Sequence, residues 1–380
     1  MLAEPERGQP LSESFAMKLA IQEAYRGLGA VSPNPLVGCV ILDSKDRFLA
    51  KGFHARYGGA HAEVNALVGL STEELQGAKI FVTLEPCAHE GKTPSCAKNL
   101  ANLPLREVIY GLVDPNPLVA GQGLEILTAA KIIVRPFVEF EIELKQLCEH
   151  FLWNMLQQKV FVSAKVATSL DGQLGLQTGE SQWITDETSR AVAHVLRAAH
   201  DGLLIGSNTL RIDNPSLNIR SDYFPKRKNK IIILDSDALC LAEACKYKFV
   251  QFHAPEDVYF AISDQISSPP NPWGAQVIFL PVKNQNPASG LDLNILLAML
   301  WRVGIRSLLV EGGAHTLSSF INEMIVQRLY LFQAPMILGA KSGKPWSEQV
   351  SISSMSDRTS LKDPQFLHLA QDQLITGILN

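Results

Sequence analysis

The sequence has 380 residues, more than one hydrophobic core usually supports, so two domains are expected. A formal net charge of -4 and a charged fraction of 19% give no basic surface for nucleic acid or an acidic membrane. Six cysteines are too few for a disulfide scaffold, and no apolar run reaches the roughly 18 residues that cross a bilayer. We therefore expect a cytoplasmic protein that binds neither nucleic acid nor membrane.

The first half of the chain alternates between predicted helices and strands. In chain order these are a helix from Ser14 that Gly29 ends, a strand Leu36 to Leu42, a helix opening at His61, a strand Lys79 to Thr83, a helix from Ser95 and a strand Glu107 to Gly111. This alternation predicts a three-layer α/β domain over residues 14–150, after a polar tail at 1–13. Residues 139–158 carry one apolar stripe, which predicts a single helix bridging two domains.

The second half, residues 151–380, begins again with strands rich in aliphatic residues. They are VFVSAKVATS, GLLIG, KIIILD, VYFAIS, QVIFLPV, SLLVEGG and RLYLFQAPMIL, with helices expected at Asp186 to Ala199 and Leu293 to Val303. Buried strands separated by helices predict a second α/β domain with a mainly parallel sheet.

One group of residues in the first half is suited to a metal. Zinc prefers thiolate and imidazole, and a catalytic zinc takes three protein ligands so that one position stays open. His61, Cys87 and Cys96 supply such a set. Glu63 follows His61 by two residues and has the reach to move protons between water and a leaving amine. The pattern therefore predicts a hydrolytic zinc site.

Other interpretations of these residues stay open. The cysteines could form a structural zinc clamp, with His89 as the fourth ligand, or be buried thiols. Zinc nucleobase deaminases share an H-x-E and a P-C-x-x-C pattern, but eight residues separate Cys87 from Cys96 here. The longer loop contains His89, Lys92 and Thr93, whose hydrogen-bond donors suit an anionic, phosphorylated small molecule.

The stretches "SPNPLVGCVI", "HAEVNAL" and "EPCAHEGKTPSC" resemble the deaminase half of the bifunctional riboflavin-biosynthesis family, a pyrimidine deaminase fused to a reductase. The resemblance implies a cytidine-deaminase-like fold, Zn2+ bound by His61, Cys87 and Cys96, and Glu63 as the proton shuttle. It also implies substrate contacts from Asn34, His54, His89 and Lys92. Pro33-Asn34-Pro35 is equally an ordinary turn, and His54 could be a loop residue bonded to backbone.

Motifs of the second half occur in the order "SLDG", "GESQWIT", "DNPSL", "VEGG" and "APMILG". No G-x-G-x-x-G opens a helix there, and the Gly312-Gly313 turn before a helix is by itself weak support for a phosphate site. The set is similar to the reductase half of the same family, which has a dihydrofolate-reductase-like α/β fold and uses NADPH.

This second resemblance implies roles for individual residues. Those along the dinucleotide would be Ala167, Trp183, Thr209, Asp213, Gly312 and Gly313. Those facing the sugar phosphate would be Ser181, Arg197, Leu217, Arg220 and Glu311. Lys165, Asp213 and Glu311 are the catalytic candidates near hydride transfer, and which of them donates a proton stays open.

The family resemblance predicts a bifunctional hydrolase and oxidoreductase acting on a phosphorylated pyrimidine, and we expect a homo-oligomer. Two other classes of protein are alternatives. A nucleic-acid base deaminase would need a basic channel and would leave the second domain without a role. A non-catalytic, metal-stabilised binding module would hold a coordinatively closed zinc and oxidise no NADPH.

Overall fold

The computed structural model describes residues 2–88, 95–116, 120–221, 223–224, 227–282 and 290–379. The chain divides into two units, the first ending at Gln158 and the second beginning at Lys159. Residues 151–158 therefore belong to the first unit, although the sequence placed them in the second domain. No helix of the described residues combines the length and apolar character that spanning a membrane requires.

The first unit is built on a five-stranded sheet. Its strands are β1 (Gly38–Leu42), β2 (Phe48–Phe53), β3 (Lys79–Leu84), β4 (Glu107–Leu112) and β5 (Ile133–Pro136), in the order β2-β1-β3-β4-β5. Strand β1 is antiparallel to both of its neighbours, and β3, β4 and β5 run parallel. The carboxyl ends of the parallel strands share one edge, where ligand sites of such sheets form.

Helices cover both faces of this sheet. They are α1 (Glu13–Ala24), α2 (Ala62–Leu67), α3 (Cys96–Ala101), α4 (Gln122–Ala129), α5 (Glu141–Leu147) and α6 (Glu149–Gln157). Because side chains alternate along a strand, Val40 and Leu42 pack with α1 and α5, while Cys39 and Ile41 pack with α2, α3 and α4. The predicted three-layer arrangement is confirmed.

Two details of the first unit differ from the sequence predictions. The single helix predicted over 139–158 is wrong: it breaks at Cys148, which allows Leu147 and Cys148 both to pack on Ala24. Part of the expected polar tail is also ordered. The Gly8 N–H donates to the Phe48 carbonyl, and Leu11 is buried in the core beside α1.

The second unit contains a nine-stranded sheet in the order β11-β10-β9-β8-β12-β6-β13-β16-β15. The strands are β6 (Phe161–Thr168), β8 (Gly202–Gly206), β9 (Lys230–Leu234), β10 (Val258–Ser263), β11 (Gln276–Leu280), β12 (Ser307–Glu311), β13 (Arg328–Gln333), β15 (Leu361–Leu369) and β16 (Asp372–Leu379). All pairs are parallel except those that involve β16. A separate ribbon joins β7 (Gln173–Leu176) to β14 (Gly343–Pro345).

Helices cover both faces of the larger sheet as well. They are α7 (Glu187–Ala199), α8 (Ser207–Asp213), α9 (Leu239–Ala242), α10 (Leu293–Arg302) and α11 (Ala314–Asn322). Leu308 and Val310 of β12 pack with α10 and α11, while Leu309 between them packs on the opposite face with residues of α8 and α9. Strand β12 therefore lies in the middle of the core, and its carboxyl end leads directly into Gly312-Gly313.

Candidate active sites

The three predicted metal ligands of the first unit lie together. The ligand atoms of His61, Cys87 and Cys96 are all within 4.8 Å of one another. The Nδ1 atom of His61 is 3.5 Å from the Cys87 sulfur and 3.3 Å from the Cys96 sulfur. One imidazole nitrogen and two sulfurs are donors that zinc prefers, and three such ligands are the number in catalytic sites.

Secondary structure holds each ligand in place. His61 is the residue that immediately precedes α2, Cys96 is the first residue of α3, and Cys87 follows the carboxyl end of β3. The Ser95 side chain caps α3 by accepting a hydrogen bond from the Lys98 N–H and donates one to the Cys87 carbonyl at 2.8 Å. This serine therefore ties the loop of one cysteine to the helix of the other.

The two sulfurs are close enough to control each other's protonation. The Cys96 thiol, despite burial and together with the His61 ring, holds the pKa of Cys87 well below its usual range. The same proximity to Cys87 raises the pKa of Cys96. A second thiolate beside the first would be repelled, so a bound cation is what would stabilise both as ligands. The donor set therefore fits zinc.

Glu63 is buried beside this group, with 4% of its surface exposed. It lies in the first turn of α2, two residues after His61, and its carboxyl contacts the Cys96 thiol. Burial raises the pKa of Glu63, which brings a carboxyl closer to the range in which it can both accept and return a proton. The role of Glu63 as proton shuttle stays a prediction from the sequence.

Asn34 and His54, predicted substrate contacts, form a pair next to the metal ligands. The His54 Nδ1 donates to the Ala60 carbonyl at 3.0 Å, and its Nε2 accepts from the Asn34 side-chain amide at 3.1 Å. The His54 ring meets the His61 ring edge to face, with 5.4 Å between centroids. His89 and Lys92, the other two predicted contacts, lie outside the described residues.

Glu85 is a residue of this site that the sequence analysis did not identify. Its buried carboxylate accepts hydrogen bonds from the N–H groups of Asp114, Gly121 and Gly123, each at 3.1 Å. Gly121 and Gly123 lie at the start of α4, so Glu85 caps that helix two residues before Cys87. A charged residue at the end of an apolar strand was the available signal.

The second unit has a cavity of about 640 Å³ at the carboxyl ends of β8 and β9 and the start of α11. Two of the predicted dinucleotide residues line it, Thr209 and Gly313, and the Thr209 Oγ1 accepts a hydrogen bond from the Gly313 N–H at 3.2 Å. The backbone is tightly packed there, since a Cβ on Gly206 would lie 2.5 Å from the Thr316 Oγ1. Its size is typical of a cofactor cleft.

Three charged residues meet at the carboxyl end of β12. Lys165 and Glu311 are register partners on β6 and β12. Arg197 reaches Glu311 through two parallel hydrogen bonds and donates a third to the Asn218 carbonyl. Burial would raise the pKa of Glu311, but Arg197 and Lys165 outweigh it and hold the value at about 2. Burial lowers the pKa of Lys165 against the opposing charge of Glu311.

The remaining predicted reductase residues are more dispersed. Three of the predicted dinucleotide residues do not line the cavity: Ala167, Trp183 and Asp213. The Trp183 side chain is 64% exposed and lies under the Arg190 guanidinium. Asp213 is the last residue of α8, and Ala167 is half-buried on β6. Ser181 is half-buried, Leu217 is buried, and Arg220 is exposed. Gly312 directly precedes the cavity residue Gly313.

Several residues that line the cavity were not predicted from the sequence. They include Asn208, Ser236, His315, Thr316 and Lys344.

Two family models match the chain. The cytidine and deoxycytidylate deaminase zinc-binding region matches residues 11–112, and the RibD C-terminal domain matches residues 160–375. The first match contains His61, Cys87, Cys96 and Glu63, and the second contains the cavity and the charged group at β12. Each match therefore covers one of the two sites.

Curated relatives match along most of their length. The riboflavin biosynthesis protein RibD of Aquifex aeolicus is 36% identical over 323 residues, 85% of this chain and 87% of the relative. That of Bacillus amyloliquefaciens is 33% identical over 371 residues, 96% of both chains.

Solved structures agree with the fold. Acinetobacter baumannii RibD is 32% identical with a TM-score of 0.81, covering 96% of this chain and 98% of that one. A deaminase/reductase structure from Thermotoga maritima is 30% identical with a TM-score of 0.80, covering 95% and 97%. On these matches and on the two sites described above, the chain belongs to the RibD family, the bifunctional deaminase–reductase proteins of riboflavin biosynthesis.

Proposed function

We propose that the first unit deaminates a diaminohydroxyphosphoribosylaminopyrimidine and that the second unit reduces 5-amino-6-(5-phosphoribosylamino)uracil, the activities in the name of the Thermotoga maritima structure. The observation that carries the proposal is the grouping of one imidazole nitrogen and two sulfurs beside the buried Glu63. Such a grouping provides both requirements of hydrolytic deamination, a site for a Lewis acid and a residue that moves protons.

Zinc would be held by His61, Cys87 and Cys96. When bound there, it supplies Lewis-acid activation of water near neutral pH. Hydrolysis replaces the ring C–NH2 bond with a C–O bond and releases ammonia. Glu63 accepts the proton that the attacking water loses and returns it to the departing amine. Its burial excludes bulk water, which favours this direct transfer.

The other residues of the first site orient the substrate. The Asn34 amide and the His54 ring are already fixed by their mutual hydrogen bond and by the Ala60 carbonyl. Burial lowers the pKa of His54, so the ring is neutral at physiological pH and contributes a polar surface without charge. His89 and Lys92 remain predicted contacts to the substrate.

The second unit would bind NADPH, which supplies a hydride to C1 of the ring-opened ribosylamino group. The cavity at Thr209 and Gly313 supports this, because the backbone N–H groups at the start of α11 can approach a pyrophosphate. Ala167, Trp183, Asp213 and Gly312 are the further proposed cofactor contacts. Ser181, Arg197, Leu217, Arg220 and Glu311 are proposed to face the sugar phosphate.

Reduction also requires one proton. Glu311 is held ionised by Arg197 and Lys165, so it has no proton to donate near neutral pH. Lys165 and Asp213 remain as the donor candidates. The role that fits Glu311 is to hold the Lys165 ammonium, its register partner, in place by charge.

The two activities can be separated in one assay. Purified full-length protein with zinc, NADPH and the diaminopyrimidine substrate should release ammonia and oxidise NADPH in equal amounts. Without NADPH, ammonia release should continue. Ammonia release that never leads to NADPH oxidation would contradict the reductase assignment, and no ammonia release at any zinc concentration would contradict the deaminase assignment. A cytoplasmic location and a homo-oligomer remain predictions from the sequence.

A further inference from the structure

A buried histidine of the second unit lies against one of the two arginines proposed to face the sugar phosphate. His194 is on α7 and 9% exposed. Its Nδ1 is 3.2 Å from the backbone nitrogen of Arg220, and its Nε2 is 3.3 Å from the Arg220 Nε. The two residues are 26 positions apart, so the contact is made by the fold and not by one helix.

The two arginines differ in how much of their charge is already compensated. Arg197 uses Nε and one terminal nitrogen on the Glu311 carboxylate and the other terminal nitrogen on a carbonyl. Arg220 is exposed, and no carboxylate of the described residues lies within ion-pair distance of it. Arg220 is therefore the arginine whose charge is available to a dianionic ligand.

His194 is uncharged at neutral pH. Burial, Arg197 and Arg220 lower its pKa to about 4; Lys165 acts in the same direction, and Glu311 opposes them. A neutral imidazole has one acceptor nitrogen, so only one of its two contacts with Arg220 is a hydrogen bond. The charged Nε–H is a stronger donor than a backbone N–H, which favours acceptance at Nε2.

A guanidinium held in this way keeps one two-donor edge free. Four of its five N–H donors form two parallel pairs, one of which includes Nε, and a bond at Nε leaves the pair on the two terminal nitrogens to bind two oxygens of one phosphate. A long arginine side chain otherwise loses much conformational entropy on binding. An acceptor that fixes Nε reduces that loss before the ligand arrives.

We propose that His194 is a positioning residue that accepts a hydrogen bond from Arg220 and presents its guanidinium to the phosphomonoester of the substrate. The inference rests on the proposed function, because it takes the second unit to reduce a phosphorylated sugar. His194 touches neither the pyrimidine nor the nicotinamide in this role. Its loss should therefore affect recognition of the phosphate alone.

The test uses the full-length protein and measures NADPH oxidation with the phosphorylated reductase substrate and with its dephosphorylated form. H194L removes the acceptor at similar side-chain volume and should raise the KM for the phosphorylated substrate about tenfold, the size of one charge-assisted hydrogen bond. The KM for NADPH and the kcat/KM for the dephosphorylated form should stay unchanged. H194Q, which retains an acceptor at similar reach, should restore most of the affinity, and H194N, which is shorter, should not.

A double-mutant cycle with R220A separates the possible failures. If His194 acts through Arg220, the H194L/R220A protein should be no worse than R220A. An R220A protein with raised KM beside an unaffected H194L protein would overturn the role of His194 and leave the phosphate site intact. An unchanged KM in R220A would overturn both. Two outcomes would show that His194 has only a structural role. One is that H194L binds NADPH and turns over the dephosphorylated substrate as poorly as it does the phosphorylated one. The other is that H194L and H194Q are equally impaired.

Discussion

The Arg197 guanidinium and the Glu311 carboxylate meet through two parallel hydrogen bonds, Nε to Oε1 at 2.8 Å and Nη2 to Oε2 at 2.9 Å. Both side chains are largely buried, so each charge depends on the other for compensation. The pair joins α7 to the carboxyl end of β12, where the chain enters the Gly312-Gly313 turn. It therefore sets the position of the residues that surround the proposed hydride-transfer site.

Replacing Arg197 with methionine should lower the free energy of unfolding of the second unit. The change leaves the Glu311 carboxylate buried without its partner, which costs about 3–5 kcal/mol. Denaturant unfolding of the full-length protein measures this loss. Arg302→Met, an exposed arginine at the end of α10, should change stability by no more than about 0.5 kcal/mol. Equal stability of the two variants would contradict a stabilising buried pair.

Thr209→Val should weaken NADPH binding in particular. The valine is similar in volume but cannot accept the hydrogen bond from the Gly313 N–H, so the turn before α11 loses its anchor. We expect the KM for NADPH to rise about threefold to tenfold, the equivalent of one neutral hydrogen bond. Thr209→Ser keeps the hydroxyl and should stay close to the natural protein. A Thr209→Val protein with unchanged KM for NADPH would place the cofactor elsewhere.

Gly123→Ala should damage the metal site from a distance. A Cβ at this position would lie 1.9 Å from the Pro86 carbonyl oxygen and 3.2 Å from the Glu85 carboxylate, so the loop that carries Cys87 has to move. Zinc content and ammonia release should fall, while NADPH oxidation with the reductase substrate should persist. Thr128→Ala, at an exposed position of the same helix, is the matched control. Full zinc content in Gly123→Ala would contradict the packing described.

The buried His200 ring should make the second unit less stable in acid. Buried, it bonds to the Leu196 carbonyl at 2.7 Å and to the Ser163 hydroxyl at 2.8 Å, and burial lowers its pKa to about 4. An unfolded histidine takes up its proton near pH 6.5, so the stability contributed by the neutral ring is complete above that pH. It is lost as the pH falls from about 6.5 to 4.

Unfolding midpoints of the second unit, measured between pH 7 and pH 4, check this expectation. His200→Gln should be less stable at pH 7, but its free energy of unfolding should fall less steeply as the pH decreases. The slopes should differ by about 1.4 kcal/mol per pH unit, because the variant lacks the proton that the unfolded histidine takes up. Ser163 and Leu196 keep a polar partner in that variant. Parallel pH profiles for both proteins would contradict a neutral, buried His200.

The buried strands and the candidate metal group could be predicted because their signals are local. Strands β8, β9 and β12 are short aliphatic runs, and the grouping of His61, Cys87 and Cys96 follows from residue types with a known preference for zinc. Strand β15 was missed because its neighbouring residues Phe366 and Leu367 are both exposed, so no alternation marks it. The start of α4 could not be predicted, because Gly121 and Gly123 lie there and glycines ordinarily indicate turns.

Contacts that join distant parts of the chain leave no such signal. Glu85 acquires its role from backbone N–H groups 29 to 38 residues away, so a charge at the end of an apolar strand marks the residue without indicating which groups it binds. His194 lies in a helix with several charges, where spacing alone cannot reveal a contact with Arg220. Arg197 was predicted as a phosphate contact from the family resemblance. Its pairing with Glu311 was not predicted, because the two residues are 114 positions apart. These pairings become visible only in the folded chain, because each joins residues that lie on different helices, strands or loops.

Zinc content and ammonia release in the Glu63→Gln protein, compared with Cys96→Ser, distinguish a carboxyl that moves protons from a residue that binds the metal. If Glu63 moves the proton without binding the metal, Glu63→Gln should keep one zinc per chain and lose at least about a hundredfold in deamination rate. Cys96→Ser should lose both. A Glu63→Gln protein that deaminates at the natural rate, or one that has lost its zinc, would contradict a proton-transfer role for Glu63 beside a separately held metal.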